Sequence, residues 1–180
     1  MRTSGRVLIV AAGAILVAAM FYQVIRHSEP TSTEGAQTPV NIEALYTASF
    51  PDAEGKLQPL SQWRNQVAVV NFWASWCPPC RDEMPELSAL QDKYRLRGLV
   101  ILGISTDDPA TLQSTLQQSP QTYTTLAADG DGLDLSMRLG NRESVLPYTL
   151  LLAKNGRVVA SYWGRLDMQA LEQRLLPLLP

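Results

Sequence analysis

Two cysteines, Cys77 and Cys80, are the residues whose type and spacing most directly suggest chemistry. A three-residue spacing at the start of a helix puts both side chains on one face, where two sulfurs can bond at about 2.05 Å. Unpaired N–H groups at a helix N-terminus carry partial positive charge, which favours the thiolate form of the first cysteine. We predict that Cys77 attacks a partner disulfide and that Cys80 resolves the mixed disulfide.

An acidic residue, Glu83, follows Cys80 by three positions and lies within side-chain reach on the same helical face. A resolving thiol must lose its proton before it can attack, and a nearby carboxylate can accept that proton directly or through water. We predict this role for Glu83. The alternative is a first-turn acid that only complements the helix dipole.

A pair of cysteines can also serve purposes other than redox chemistry. A zinc site normally needs four ligands, and His27 is the only histidine. A structural disulfide between these positions would close a very short loop, where stabilisation is least. Two thiolates could hold Cu(I), so a metallochaperone is the alternative from another class. Peroxidase activity is a further alternative, although the sequence has no lone peroxidatic cysteine. We predict no metal and no cofactor.

Hydrophobic patterns predict the elements that position the cysteines. Val67–Trp73 is a nearly continuous apolar run, typical of a strand buried on both faces, and Leu99–Ile104 is a second such run. Apolar residues between them recur at helical spacing: Met84, Leu87, Leu90 and Tyr94. The cysteines therefore lie where the strand of a right-handed strand-helix-strand unit gives way to its helix.

The remaining pattern predicts an α/β domain with a mixed central sheet and helices on both faces. The stretch between the second strand and residue 148 is predicted to be helical. The predicted elements are a short antiparallel hairpin near residues 50–56, helices opening at Asp107-Asp108-Pro109 and spanning Asp131–Leu139, strands over Tyr148–Ala153 and Arg157–Trp163, and a closing helix over Asp167–Leu176.

The N-terminal segment is predicted to attach the domain to a membrane. Val7–Ile25 is almost entirely apolar, and about 19 helical residues span roughly 28 Å, close to the thickness of a bilayer core. We predict an anchor over residues 1–27, a flexible linker over 28–40 and a thioredoxin-like domain over 41–180, with the amino terminus in the cytoplasm. A cleaved signal peptide is the alternative, and either version exports the domain.

The charge of the chain argues against nucleic acid as a partner. Beyond residue 30 the sequence has 12 basic and 16 acidic side chains, a formal charge of −4. Phosphate binding requires a concentrated basic face, and the sequence offers none.

The segment Val69–Pro85, which reads VVNFWASWCPPCRDEMP, closely resembles the active-site block of the TlpA/ResA-like thioredoxins. These are membrane-anchored relatives that include the cytochrome c maturation reductases. The resemblance extends from about Phe50 to Leu166. It implies a thioredoxin-like fold, preceded here by one transmembrane helix, and the activity of a thiol-disulfide oxidoreductase.

The resemblance also assigns residues that would position a partner chain. Pro147 matches the proline that faces the disulfide in a cis conformation, whereas sequence statistics alone favour trans. The backbone of Leu146 would then hydrogen-bond an extended partner segment. Trp76 flanks the motif, where it would shield the sulfurs and help to position the partner. Asn71 departs from cytosolic thioredoxins, which have a buried aspartate there, and this departure raises the importance of Glu83.

Together these observations predict a reductase of protein disulfides at the inner membrane, with its catalytic domain on the periplasmic side. Its electrons would come from a membrane donor of the DsbD or CcdA type, as the resemblance implies. Candidate substrates are apocytochrome c, copper-site thiols of an assembly factor, or a broader set of protein disulfides. An oxidase that donates its disulfide is the alternative, because direction depends on reduction potential and not on the motif.

Overall fold

The computed structural model describes residues 40–180, which form a central sheet covered by helices. The strands are β1 (Ser49–Pro51), β2 (Leu57–Pro59), β3 (Val67–Trp73), β4 (Leu99–Ser105), β5 (Thr124–Ala127), β6 (Tyr148–Leu152) and β7 (Val158–Trp163). The α-helices are α1 (Glu43–Tyr46), α2 (Pro78–Tyr94), α3 (Pro109–Gln118), α4 (Asp129–Arg138) and α5 (Met168–Leu175), and short 3₁₀ helices cover Leu60–Trp63, Arg95–Arg97 and Leu176–Leu178.

The main sheet has the strand order β5-β4-β3-β6-β7. Strand β4 pairs in parallel with β3 and β5, whereas β6 is antiparallel to both β3 and β7. All seven residues of β3 are buried, as expected for the central strand of a sheet covered on both faces. The mixed sheet predicted from sequence is therefore confirmed, and the hairpin β1-β2 forms a separate two-stranded sheet.

Alternate residues of β3 pack into two hydrophobic cores, because successive side chains of a strand point to opposite faces. Val70 and Phe72 face α1 and α4. Val67 and Val69 face α2 and α5. Trp73, at the end of the strand, packs with both cysteines, so the core extends directly to the predicted reactive residues.

Two short elements were missed by the sequence patterns. The stretch after α3, predicted as helical, contains the edge strand β5, which has only four residues and shows no clear period. Helix α1 is equally short. Elements of one helical turn or less carry too few residues for a periodic signal, so only their contacts with the sheet define them.

Helix α2 runs without a break through Pro85, which lies inside the helix and not in its first turn. Proline removes the hydrogen bond to the carbonyl of Arg81. Pro85 and Arg81 are both exposed, so this carbonyl lies on the side of the helix that faces water. The helix therefore continues past Pro85 to Tyr94.

Within residues 40–180 no helix is long and apolar enough to cross a bilayer. The predicted membrane segment Val7–Ile25 and residues 28–39 of the predicted linker lie outside the described residues.

Candidate active site

Cys77 and Cys80 are joined by a disulfide with an S–S distance of 2.06 Å at the start of α2. Cys77 is the N-cap residue of this helix, so its side chain lies at the end that carries the unpaired N–H groups. Cys77 is 4% exposed and Cys80 is fully buried. Of the two cysteines, only Cys77 therefore has surface that a partner can reach.

The two prolines between the cysteines reduce the number of hydrogen-bond donors at this helix end. Pro78 and Pro79 occupy the first two helical positions and have no N–H. The Arg81 N–H already donates to the Cys77 carbonyl at 3.2 Å. Among the first helical N–H groups, that of Cys80 is left to stabilise a thiolate at Cys77.

The loop that precedes Cys77 is held by a carboxylate that sequence analysis assigned only to a helix start. Asp107 accepts hydrogen bonds from the Ser75 N–H at 2.7 Å, the Ser75 hydroxyl at 2.9 Å and the Ser105 hydroxyl at 2.7 Å. Asp107 is buried. Its position just past the end of β4, at the sheet edge where β3 also ends, was the one signal that could have identified it. The neighbouring Asp108 caps α3, as predicted.

Glu83 is fully buried and accepts two hydrogen bonds, one from β3 and one from the loop between β7 and α5. Asn71 on β3 donates to its Oε1 at 2.7 Å, and the same amide nitrogen donates to Thr149 on β6 at 2.9 Å. The Leu166 N–H donates to the Glu83 Oε2 at 3.0 Å. Each carboxylate oxygen thus has one protein donor and retains a lone pair for a further partner.

Burial raises the pKa of Glu83 from its ordinary value of 4.5 to about 6, and the hydrogen bonds from Leu166 and Asn71 oppose this increase. A carboxyl group with a pKa near neutrality can take up and release a proton under ordinary conditions. Glu83, three residues after Cys80 on α2, is therefore a candidate proton acceptor for the Cys80 thiol.

The Leu146–Pro147 peptide bond is cis, the conformation that the family resemblance implied. Pro147 is buried, and Leu146 packs against the cluster that contains both cysteines. Asn141 fixes the preceding loop, since its side chain accepts from the Val145 N–H at 3.0 Å and donates to the Val145 carbonyl at 2.9 Å. No sequence pattern indicates this role of Asn141, because its partner is the backbone of Val145 and the contact exists only in the folded loop.

The two tryptophans that flank the motif have different environments. Trp73 is fully buried and packs with the cysteines, whereas Trp76 is 71% exposed. Trp73 therefore shields the sulfurs from within, and the indole of Trp76 leaves a large apolar surface free beside Cys77. Among residues 40–180, no three His, Cys, Asp or Glu side chains are grouped so that they could hold a metal ion.

The disulfide lies at the start of a helix, the residue before a cis proline packs against the cysteine cluster, and the same helix carries a buried carboxyl group. With this fold, these features define a thiol-disulfide oxidoreductase of the thioredoxin type. The comparisons with known proteins agree. The chain belongs to the AhpC/TSA family, whose profile matches residues 43–161.

Named relatives support the same class of activity. The chain is 32% identical to the thiol:disulfide interchange protein HelX of Rhodobacter capsulatus, over 83% of this chain and 79% of HelX. It is 28% identical to the thiol-disulfide oxidoreductase ResA of Bacillus thuringiensis, over 72% of this chain and 73% of ResA. A secreted thiol-disulfide isomerase from Corynebacterium glutamicum superimposes with a TM-score of 0.66 at 25% identity, covering 82% of this chain and 94% of that structure.

Proposed function

We propose that this protein is a reductase of protein disulfides that works outside the cytoplasm. The observation that indicates the direction of the reaction is the proline at the second position of α2, Pro79. A strongly oxidising disulfide depends on a well-stabilised thiolate in the reduced form. Because Pro79, at the second helical position, has no N–H, the thiolate of Cys77 has one donor fewer than a helix start normally supplies, which favours a reducing potential.

The proposed cycle begins with the dithiol form. The Cys77 thiolate attacks one sulfur of the partner disulfide, and the other partner sulfur leaves as a thiolate. The Cys80 thiol then gives its proton to Glu83 and attacks Cys77, which forms the Cys77–Cys80 disulfide and releases the second partner thiolate. Two electrons pass to the partner, which takes up protons to become a dithiol.

Leu146 and Trp76 would position the partner chain during this exchange. The backbone of Leu146, next to the cis proline Pro147, is proposed to pair with an extended segment of the partner. The exposed indole of Trp76 would cover an apolar side chain of that segment.

The cellular setting is proposed from the sequence and the resemblance. The apolar segment Val7–Ile25 would anchor the chain in the inner membrane with the redox domain on the periplasmic side. A membrane donor of the DsbD or CcdA type would return the disulfide to a dithiol, because an oxidising compartment supplies no reductant of its own. Cytochrome c maturation or assembly of a metal site is the proposed process. The similarity to the interchange protein HelX and the oxidoreductase ResA supports the thiol-disulfide chemistry on which this setting depends.

Trapping of the mixed disulfide would identify the partner. With Cys80→Ser in the membrane-attached full chain, we expect Cys77 to accumulate joined to its substrate, because no resolving thiol remains. Cys77→Ser is the matched control and should trap nothing. Recovery of apocytochrome c or a metal-site protein would support the proposed process, and a complex that requires Cys80 in place of Cys77 would contradict the assignment of the nucleophile.

The direction of the reaction is tested by the reduction potential of the purified protein in glutathione and dithiothreitol buffers. We expect a potential well below that of DsbA, which is about −120 mV. A potential near that value would support the oxidase alternative. Tight binding of Cu(I) without reduction of any protein disulfide would support a metallochaperone.

A further inference from the structure

The end of the sheet farthest from the cysteines carries several exposed cationic side chains. The seven residues of β3 begin at this end and rise about 23 Å toward Cys77. Arg95 and Arg97 belong to the 3₁₀ helix that precedes β4, and Lys154 and Arg157 belong to the turn between β6 and β7. We refer to these four exposed residues as the basic end. None of them forms an ion pair with a carboxylate of residues 40–180.

The other charges near the basic end cancel each other for the most part. Arg64 is paired with Glu43 at 2.6 Å, and Lys93 is paired with Glu172 at 2.6 Å. Asp92, in the last turn of α2, opposes the four cations and leaves them in excess. The chain beyond residue 30 has a formal charge of −4, so this end is positive on an otherwise acidic domain.

A cavity of about 410 Å³ opens between two of the four cations. Arg97 and Lys154 line it together with the side-chain amides of Asn65 and Gln66, and none of the described residues around it is Asp or Glu. Arg97 Nε donates to the Pro180 carbonyl at 2.9 Å. The ammonium of Lys154 is therefore available to a ligand, and ammonium and amide N–H groups suit the oxygens of a phosphate group.

An apolar side chain projects between the two arginines. Leu96 is 89% exposed, more than any other large hydrophobic residue within residues 40–180. Cationic side chains beside an exposed leucine match the boundary layer of a bilayer, where apolar groups enter between the headgroups and the cations remain among the phosphates. Leu96 therefore adds an apolar contact to the charges of the basic end.

The described part of the chain also begins near the basic end. Glu43 of α1 is paired with Arg64, three residues before β3. A Cβ atom on Gly156, in the turn between β6 and β7, would lie 3.7 Å from the ring of Tyr46, the last residue of α1. A flexible linker over residues 28–40, as predicted from the sequence, would span about 20 Å. A tether of this length keeps the basic end within reach of the bilayer surface.

We propose that the basic end binds the anionic headgroups of a phospholipid bilayer and thereby directs Cys77 away from the membrane. Arg95, Lys154 and Arg157 contact lipid phosphates, and Leu96 enters the headgroup layer. Each cation near an anionic surface contributes a factor of about five in affinity, so the contact is reversible. The domain can then turn and present Cys77 to a donor in the membrane. This inference rests on the proposed function only in its membrane setting.

The test measures the orientation of the full chain in lipid nanodiscs that contain a small amount of lipid carrying a chelated gadolinium ion. The ion increases the relaxation rate of protons with the inverse sixth power of their distance. In phosphatidylglycerol nanodiscs, the increase should be at least about tenfold larger for the Leu96 methyl protons than for the Trp76 indole proton, because the length of β3 separates them. In phosphatidylcholine nanodiscs, which carry no net charge, the ratio should fall toward one. Salt at roughly 1 M should lower it in the anionic nanodiscs as well.

A pair of double variants tests whether the basic end itself is responsible. Arg95→Gln with Lys154→Gln removes two exposed cations whose side chains have no hydrogen bond or ion pair within the described residues. The loss of two cations should weaken the bound orientation by about 25-fold. Lys56→Gln with Arg81→Gln is the matched control, because it removes the same charge from the turn between β1 and β2 and from the first turn of α2. Its relaxation ratio should equal that of the wild type.

Equal relaxation of Leu96 and Trp76 in anionic nanodiscs would overturn the inference, as would an equal loss of orientation in the two double variants. The proposed anchor is judged separately. A full chain that separates from phosphatidylcholine nanodiscs during gel filtration would contradict the anchor, and the orientation would then be measured on the chain added to phosphatidylglycerol nanodiscs. A chain that stays in both nanodiscs without a preferred orientation would contradict the headgroup contact alone.

Discussion

At the scale of single residues, the prolines between the cysteines determine how well the reactive sulfur is stabilised. An N-cap side chain normally accepts hydrogen bonds from the N–H of the second or third helical residue. Pro79 occupies the second of these positions and Cys80 the third. The thiolate of Cys77 therefore depends on one donor where most helices would offer two.

Replacing Pro79 by alanine should restore the missing donor. In Pro79→Ala we expect the pKa of the Cys77 thiol to fall, by roughly half a unit to one unit for one added hydrogen bond to a charged sulfur. The dithiol form becomes more stable, so the reduction potential should rise. Thiolate absorbance against pH and equilibration with glutathione measure the two effects.

Pro78→Ala is the control, because the first helical position does not normally donate to the N-cap side chain. Its thiol pKa and reduction potential should remain close to those of the wild type. Equal changes in the two variants would show that loss of ring rigidity, and not the hydrogen bond, is responsible.

At the scale of elements, a short polar connection fixes the loop between β3 and α2. Asp107 follows β4 and holds both the N–H and the hydroxyl of Ser75, two residues before Cys77. Because β3 and β4 are adjacent parallel strands, their ends lie side by side, and one carboxylate can join the two loops. The position of the nucleophile is therefore set partly by an element that contributes no reacting group.

Removing this connection should loosen the active-site loop. Asp107→Ala leaves the Ser75 N–H without its buried acceptor, so we expect a loss of about 2 kcal/mol in the free energy of unfolding and faster hydrogen exchange at Ser75. Asp108→Ala is the matched control. It removes the cap of α3 and should cost about 1 kcal/mol without affecting exchange at Ser75. Equal exchange at Ser75 in the two variants would exclude Asp107 as its anchor.

The elements differ in how far the sequence could predict them. β3 and α2 have long, clear hydrophobic patterns, and the motif between them is specific, so the position of Cys77 and Cys80 at a strand-helix junction could be predicted. The four-residue strand β5 could not. Hydrophobic patterns also could not predict contacts between residues that are distant in sequence. Asn71 and Thr149 are 78 positions apart and become neighbours only because β6 pairs with β3.

At the scale of the whole molecule, the buried carboxyl group links stability to pH. In the folded protein burial raises the pKa of Glu83 to about 6, against an ordinary value of 4.5, so the folded state binds this proton more tightly than the unfolded state does. Stability from this group is therefore fully present below about pH 4.5, and it is lost as pH rises through about pH 6.

Replacing Glu83 by glutamine should remove this dependence while it keeps the side-chain shape and an oxygen that can accept from Asn71. A pKa difference of about 1.5 corresponds to about 2 kcal/mol. The wild type should therefore lose about 2 kcal/mol of unfolding free energy between pH 4 and pH 7 that Glu83→Gln does not lose. Urea unfolding of the disulfide form at several pH values measures the difference. Asp92→Asn, on an exposed position of α2, is the control whose curve should run parallel to the wild type. A parallel curve for Glu83→Gln as well would mean that the folded protein does not hold this carboxyl group in the protonated form near pH 5, and the proton transfer from Cys80 would then need another acceptor.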